Sequence, residues 1–319
     1  MSAVLRIAPV FLVLFGVVVA IMVQNPQFTR PPVLLGLVRF AAPLMLLAVG
    51  ELFVLVAGEF DLSIGSLVTV VVAIAAGVGN GDEDKTWWLV PALLGLGIVV
   101  GLVNGIVTTQ LAVPSFITTL GTMLILSGAV LYWTGGAVLG YVPDNLRAFG
   151  RGAFTGIPWL ERLPYAVLVM VVFVAMATWL RHGTNFGYQL VAAGANPRAA
   201  ALSGVNVARV RIFAFVLSAL FAVVAGIVLG GIVGVSPQAG RGYEFQAISA
   251  AVLGGVVLGG GRGAVVPAAA GALALQAIFT WLNLLGVADP VRQAFQGAII
   301  IGAVALSSLF SYSARRRSS

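Results

Sequence analysis

Between Arg211 and Arg241 the chain reads IFAFVLSALFAVVAGIVLGGIVGVSPQAG, Ile212 to Gly240, without one charged side chain. A helix crossing the roughly 30 Å of bilayer hydrocarbon needs about 20 mostly apolar residues, and this run is longer. It is apolar on every face, as a membrane span is and a surface helix is not. Lipid must therefore do here what water does around a soluble protein.

The pattern repeats outward in both directions. Ile7–Thr29, Leu62–Gly81, Leu163–Leu180, Phe245–Gly261, Gly263–Ala288 and Gln293–Ala314 are also free of charge. Thr86–Pro143 is too long for one crossing and divides at Val113-Pro114, because proline disfavours helix at the residue before it. Val33–Ala57 adds one more span despite Arg39 and Glu51. The expected fold is all-α: a polytopic integral membrane protein of about ten transmembrane helices, in one membrane domain over residues 1–319. Composition agrees. The 319 residues are 60% hydrophobic and 8% charged, against about 25% charged in soluble proteins.

The first apolar stretch, Ile7–Val23, outruns a signal peptide's usual core of about 7–15 residues, and no A-x-A-like site follows it before Gln24, so an uncleaved helix is expected. An even number of spans puts both termini on one side. The inner segments then carry Arg6, Arg181, Arg198, Arg209, Arg211, Arg262 and the tail Arg315–Arg317, with Glu59 and Asp61 as their only acids. The outer segments take Asp82, Glu83, Asp84, Asp144, Glu161, Glu244 and Asp289. That balance favours cytoplasmic termini. The longest outer loop, Gly135–Leu163, has room for a short surface helix and nothing more.

Much chemistry is excluded. There is no cysteine and a single histidine, His182, so thiolate and multi-histidine metal sites are ruled out, and no metal or cofactor is expected. The net charge of +7 is scattered between apolar runs, which fits topology rather than nucleic acid. Lys85, the only lysine, follows Asp84 where a phosphate loop needs glycine. Gly259–Ala264 matches G-x-G-x-x-A but lies between two apolar runs and reads as a tight turn, not a dinucleotide site. Glycines at four-residue spacing, Gly97/Gly101/Gly105, Gly226/Gly230/Gly234 and Gly255/Gly259/Gly263, predict helix faces that admit close backbone approach.

One cytoplasmic segment stands out. Gly194-Ala195-Asn196-Pro197-Arg198-Ala199-Ala200-Ala201-Leu202-Ser203-Gly204 places an N-capping asparagine before a proline suited to the first turn. Gly204 sits where a helix ends. The spacing predicts a helix of about two turns, capped at both ends and outside the membrane. A rigid, pre-capped helix is what a partner's groove could grip.

Ala199-Ala200-x-x-x-Gly204 resembles the E-A-A-x-x-x-G loop of ABC importer permeases, and the fuller Gly-x-Asn-Pro-x-Ala-Ala-x-x-Ser-Gly pattern is similar to the ribose, xylose, galactose and autoinducer branch. Arg198 replaces the glutamate. Glu59–Ser66, Pro114–Met123 and Gly254-Gly255…Gly260–Gly263 resemble the same branch in the same order. Gly58-Glu59-Phe60 departs from it, since relatives more often carry an uncharged small pair there. The resemblance implies a permease subunit in the bacterial cytoplasmic (inner) membrane that catalyses nothing itself. It implies a second permease chain, identical or related, a cytoplasmic ATP-binding subunit and an extracytoplasmic solute-binding protein as partners, with a sugar or sugar-like solute as cargo. Asn196, Pro197, Arg198, Ala199, Ala200, Ser203 and Gly204 would dock the ATPase.

Polar residues at membrane depth are candidates for the substrate path: Glu51, Glu59, Asp61, Ser63, Asn104, Thr118, Thr119 and Thr122. Charges there usually face a water-filled path or a partner, and a broken helix is tolerated where it lines such a cavity. Asp61 could equally cap the following helix. Glu51 requires a partner, either Arg39 or a group on a neighbouring helix. The echo of Gly58-Glu59-Phe60 in Gly242-Tyr243-Glu244-Phe245 hints at an inverted repeat. Two other classes fit a polytopic chain. An ion-coupled secondary transporter would need no ATPase, which the capped helix argues against. An intramembrane lipid-sugar transferase would need a clustered acid/base site, which the scarcity of histidine and lysine argues against.

Overall fold

The computed structural model describes residues 4–137 and 139–288, with 290, 291, 294, 297, 298 and 302. The described chain is a helical bundle: α1 Val4–Gln24, α2 Pro31–Val56, α3 Ile64–Gly77, α4 Thr86–Gln110, α5 Ser115–Thr134, α6 Asp144–Arg151, α7 Tyr165–His182, α8 Asn185–Ala195, α9 Pro197–Leu202, α10 Val207–Val233, α11 Tyr243–Leu253 and α12 Val265–Leu284. Six helices are long and apolar enough to cross a membrane: α2, α4 (with its preceding turn), α5, α7, α10 and α12.

Two expected spans are half-length. Leu62–Gly81 yields only α3, of 14 residues, and Phe245–Gly261 only α11, of 11. At 1.5 Å per residue these reach about 21 and 16 Å, short of the hydrocarbon thickness. Hydropathy alone does not reveal this, because neither helix fills its charge-free run: α3 gives way to a turn at 78–81, and α11 ends at Leu253 before the glycine-rich stretch 254–261. Gln293–Ala314 and the arginine tail lie outside the described residues, apart from the scattered positions named above.

The core is α2 and α10, packed side by side and buried along most of their length. At Gly50 they meet so closely that an added Cβ would stand 2.7 Å from Phe221 Cβ. The stripe Gly97/Gly101/Gly105 brings α4 onto Ala219, Val216 and Ile212 of α10, as expected of small residues at four-residue spacing. Gly226 and Gly230 meet Val71 and Val72 of α3. The third stripe is not helical. Gly255 lies at φ +88°, and Gly255, Gly259 and Gly263 fall in the irregular segment between α11 and α12.

A motif occurs twice: long helix, irregular segment, short helix, long helix. α2, 57–63, α3 and α4 form the first copy; α10, 234–242, α11 and α12 form the second. Gly58 and Gly242, the glycines of the sequence echo, adopt φ +85° and +86°. Glu59, just past the end of α2, pairs with Arg211 in the first turns of α10, so the two long helices run in opposite directions. The copies cross where Gly240 lies against Gly65, with the Glu244 carboxylate beside them. Gly240 N–H also donates to Thr69 Oγ1 (3.0 Å).

The long loop expected outside, 135–163, holds more than a surface helix. After α6 comes a hairpin, β1 Ala153–Ile157 against β2 Glu161–Pro164, antiparallel with an irregularity between Thr155 and Ile157. α6 seats Gly150 against Gly231 at the end of α10. Asn145 joins it to the start of α4, accepting from Thr86 Oγ1 (2.9 Å) and donating to Glu83 O (3.2 Å).

Candidate functional site

The irregular segment 57–63 gathers most of the polar residues singled out by sequence. Gly58 turns the chain back beside the end of α2, so that Asp61 returns to the depth of Glu51. Asp61 N–H donates to Glu51 Oε1 (3.2 Å). Asp61 Oδ1 accepts from Ser63 N (3.0 Å) and Ser63 Oγ (2.6 Å). Asn104 Nδ2 on α4 donates to Ser63 Oγ (2.9 Å), and Thr122 Oγ1 on α5 donates to Asn104 Oδ1 (2.6 Å). Three helices and the break are thereby joined through Glu51, Asp61, Ser63, Asn104 and Thr122.

Phe60 is fixed from both sides. Its N–H donates to Ser115 Oγ (3.1 Å), and its carbonyl accepts from Thr119 Oγ1 (3.4 Å). Thr118 contributes only its carbonyl, to Thr122 Oγ1 (3.1 Å). Backbone groups freed by a broken helix must find partners within the protein, and this network supplies them. Glu51, Asp61, Asn104 and Thr119 are all 0% exposed, so the cluster lies inside this chain rather than on an open channel wall. Asp61 forms an Asx turn with Ser63 ahead of α3. Arg39 does not satisfy Glu51. It sits twelve positions earlier on α2, about 18 Å away along the helix.

Glu59 stands apart. Its Oε1 meets Arg211 Nη1 at 2.8 Å, with both side chains largely buried. The pair lines a cleft of about 470 Å³ together with Thr108, Thr109, Pro114 and Val207. Sequence reasoning missed Arg211 as a partner, since 152 positions separate it from Glu59 and no local pattern connects them. Ser115 was hidden equally well inside an apolar run.

The capped helix forms as the spacing predicts. Asn196 Oδ1 accepts from Ala199 N (3.1 Å), Pro197 opens α9, and Gly204 follows it at φ +85°. Ser203 Oγ closes the other end on Ala199 O (3.0 Å). Ala200 anchors the helix inward, whereas Arg198, Ala199 and Ser203 face out. Leu202, 91% exposed, projects from the same helix; it was not among the residues expected to dock a partner. An isolated exposed leucine is commonplace, but one on a rigid pre-capped turn is a ready knob.

α9 is held close to the break. Gly194, two residues before the Asn196 cap, sits where Gly261 N–H donates to Val56 O (2.8 Å), with Gly58 beside it. The C-terminal ends of α2 and α8 and the 254–264 segment therefore meet at one point. Through the end of α8, α9 is thus joined to the first break and to the 254–264 segment.

Residues 33–304 match the family model described as branched-chain amino acid transport system / permease component. The ribose import permease protein RbsC of Bacillus subtilis (strain 168) is 36% identical over 308 residues, covering 93% of this chain and 91% of that protein. RbsC of Escherichia coli (strain K12) is 34% identical over 283 residues, 88% and 87% of the two chains. The autoinducer 2 import system permease protein LsrC of Klebsiella pneumoniae is 33% identical over 297 residues, 93% and 84%. No solved structure matches the chain.

Proposed function

The chain belongs to the family of transport-system permease components and is the membrane-spanning subunit of an ABC importer; from that premise we propose that it carries a sugar or sugar-like solute, of the kind its ribose and autoinducer 2 relatives are named for. It is a transport component and not an enzyme. ATP is hydrolysed by a separate cytoplasmic subunit, an extracytoplasmic binding protein delivers the solute, and a second permease chain completes the path. The protein lies in the bacterial inner membrane with both termini cytoplasmic. It has about ten membrane segments, two of them half-length, in one membrane domain.

The observation that carries this reading is α9. Asn196, Pro197, Arg198, Ala199, Ala200, Ser203 and Gly204 build a rigid exposed helix whose base abuts the inner ends of both repeats. A push from an ATPase on Arg198 and Leu202 passes through the end of α8 to the first break and to the 254–264 segment. Glu51, Glu59, Asp61, Ser63, Asn104, Thr118, Thr119 and Thr122 shape the path from behind. The network holds the break and the inner half of α5, the least buried of the six spanning helices. The Glu59–Arg211 cleft is the cytoplasmic exit. Sugars are released readily from such a path because none of these groups encloses them (conduction needs weak binding).

Gly204→Val tests the coupling. The new side chain meets nothing within 4 Å, but φ +85° is strained for valine by about 1–2 kcal/mol. Membrane insertion stays normal, while solute-stimulated ATP hydrolysis by the assembled complex is lost. Undiminished stimulation refutes docking at α9. Orientation is checked separately. The protein has no natural cysteine, so an Ala199→Cys variant gives a label without background. It stays unreactive to an impermeant maleimide in intact cells and reacts once the membrane is opened; labelling in intact cells reverses the topology.

A further inference from the structure

A second connection runs from α9 forward along the chain to the first break. Only Ser203–Asn206 separate α9 from α10, and each of these residues is fastened. Ser203 N–H donates to Ala199 O (3.1 Å), Gly204 N–H to Ala201 O (3.0 Å) and Val205 N–H to Ala200 O (3.0 Å). Asn206 Oδ1 accepts from Arg209 N (2.9 Å) and so caps α10. With no slack in the connection, α9 and the first turns of α10 are displaced together.

Arg211 lies in those first turns, and its Nη1 meets Glu59 Oε1 at 2.8 Å. The other ion pairs among the described residues, Lys85–Asp82 and Arg147–Asp144, each lie within one turn; Glu59–Arg211 alone joins separate elements. The backbone of Glu59 is held as well. Its N–H donates to Val54 O (3.0 Å) at the end of α2, and the next residue, Phe60, is bonded to Ser115 and Thr119 of α5. Just before it, Gly58 reverses the chain. A force on Arg211 therefore arrives at the turn of the break, between two anchored helices.

The pair also borders free space. The cleft of about 470 Å³ beside it is lined as well by the α4–α5 connection, Ala112, Val113 and Pro114. Arg211 Nε and Thr108 Oγ1 have no hydrogen-bond partner, so these lining residues are not knitted to one another. A largely buried ion pair contributes little net stability, because desolvation offsets the attraction; what it can fix is which two surfaces meet. We propose that Arg211 is a positioning residue, which ties the base of α10 to the break through Glu59 and so carries displacement of α9 to the cleft. The force in this proposal rests on the docking of an ATPase at α9, and its transmission rests on the ion pair.

The full complex with its ATPase subunit, in lipid nanodiscs, tests this without any solute. Ala112 is exposed on the cleft, and the chain has no cysteine of its own. Ala112→Cys therefore reports access to the cleft by its rate of reaction with a maleimide, read on the permease band. ATP with orthovanadate, which traps the ATPase in its nucleotide-bound form, slows that rate severalfold. Adding Glu59→Gln abolishes the change. Arg211→Lys keeps part of it, because the pair makes a single Nη1–Oε1 contact that an ammonium can replace; Arg211→Met keeps none. Should Glu59→Gln fail to assemble with Arg211 stranded, Glu59→Gln with Arg211→Met removes both charges, assembles, and is equally unresponsive. A response undiminished in Glu59→Gln overturns the proposal. So does a rate indifferent to nucleotide in Ala112→Cys alone, docking at α9 being judged then by ATP hydrolysis in Gly204→Val. Gly204→Val in the labelling assay separates the two readings. A response lost there but kept in Glu59→Gln leaves docking standing and refutes the tie, whereas one kept there but lost in Glu59→Gln refutes docking at α9 and supports the tie.

Discussion

Replacing Gly194 with valine abolishes solute uptake and lowers the yield of folded protein. A Cβ at this position would overlap Val56 O and stand 2.6 Å from Gly261 N. Those two atoms form the hydrogen bond that fastens the end of α2 to the 254–264 segment. The neighbours are backbone, so no side chain can rotate away. Overpacking of this kind costs about 1–3 kcal/mol and more where the backbone must shift. Because the junction also carries the base of α9, the strain falls on the helix proposed to couple to ATP hydrolysis. Gly95→Ala is the control. Its added methyl meets nothing within 4 Å, and in a helix interior it is neutral to stabilising by up to about 1 kcal/mol. Thermal midpoint and uptake are measured for both variants. Unmodified stability and uptake in Gly194→Val would remove the junction from the coupling route.

Asp61→Leu is expected to be the most damaging substitution in the polar network. It leaves the buried Ser63 N–H without its acceptor and deprives the Ser63 hydroxyl of its own. Each stranded buried group costs about 1–3 kcal/mol. Ser63 also takes the Asn104 amide (2.9 Å), so the loss spreads to α4 and, through Thr122, to α5. Folded protein and uptake both drop sharply. Asp61→Asn retains an acceptor in nearly the same shape, so it keeps its place in the membrane and loses transport only in part. Comparing uptake with the amount of folded protein separates the two effects. If Asp61→Leu is as stable as the unmodified chain, the network does not hold the break.

Some of this was legible because it depends on neighbours in sequence. Asn196, Pro197 and Gly204 specify α9 almost by themselves, since capping and a left-handed C′ residue act within one or two turns. Gly97, Gly101 and Gly105 announce a close helix contact, though not that α10 fills it. The half-length of α3 and α11 was not legible. Hydropathy registers burial in lipid and burial in protein alike, so the charge-free runs Leu62–Gly81 and Phe245–Gly261 read as continuous spans although their helices cover only part of them.

By itself, then, the sequence determined that the chain lives in lipid, that it is helical, and that a short capped helix follows Asn196. Apolar content, periodicity and caps are local quantities. Only the tertiary structure decided that Glu51 is met by Asp61 rather than Arg39, that Glu59 belongs to Arg211, and that Ser218 turns toward a buried acid. Each of these pairings joins segments that a membrane fold brings together from far apart. In a medium without water, a polar side chain takes whatever partner the packing of glycine-lined helices places within reach.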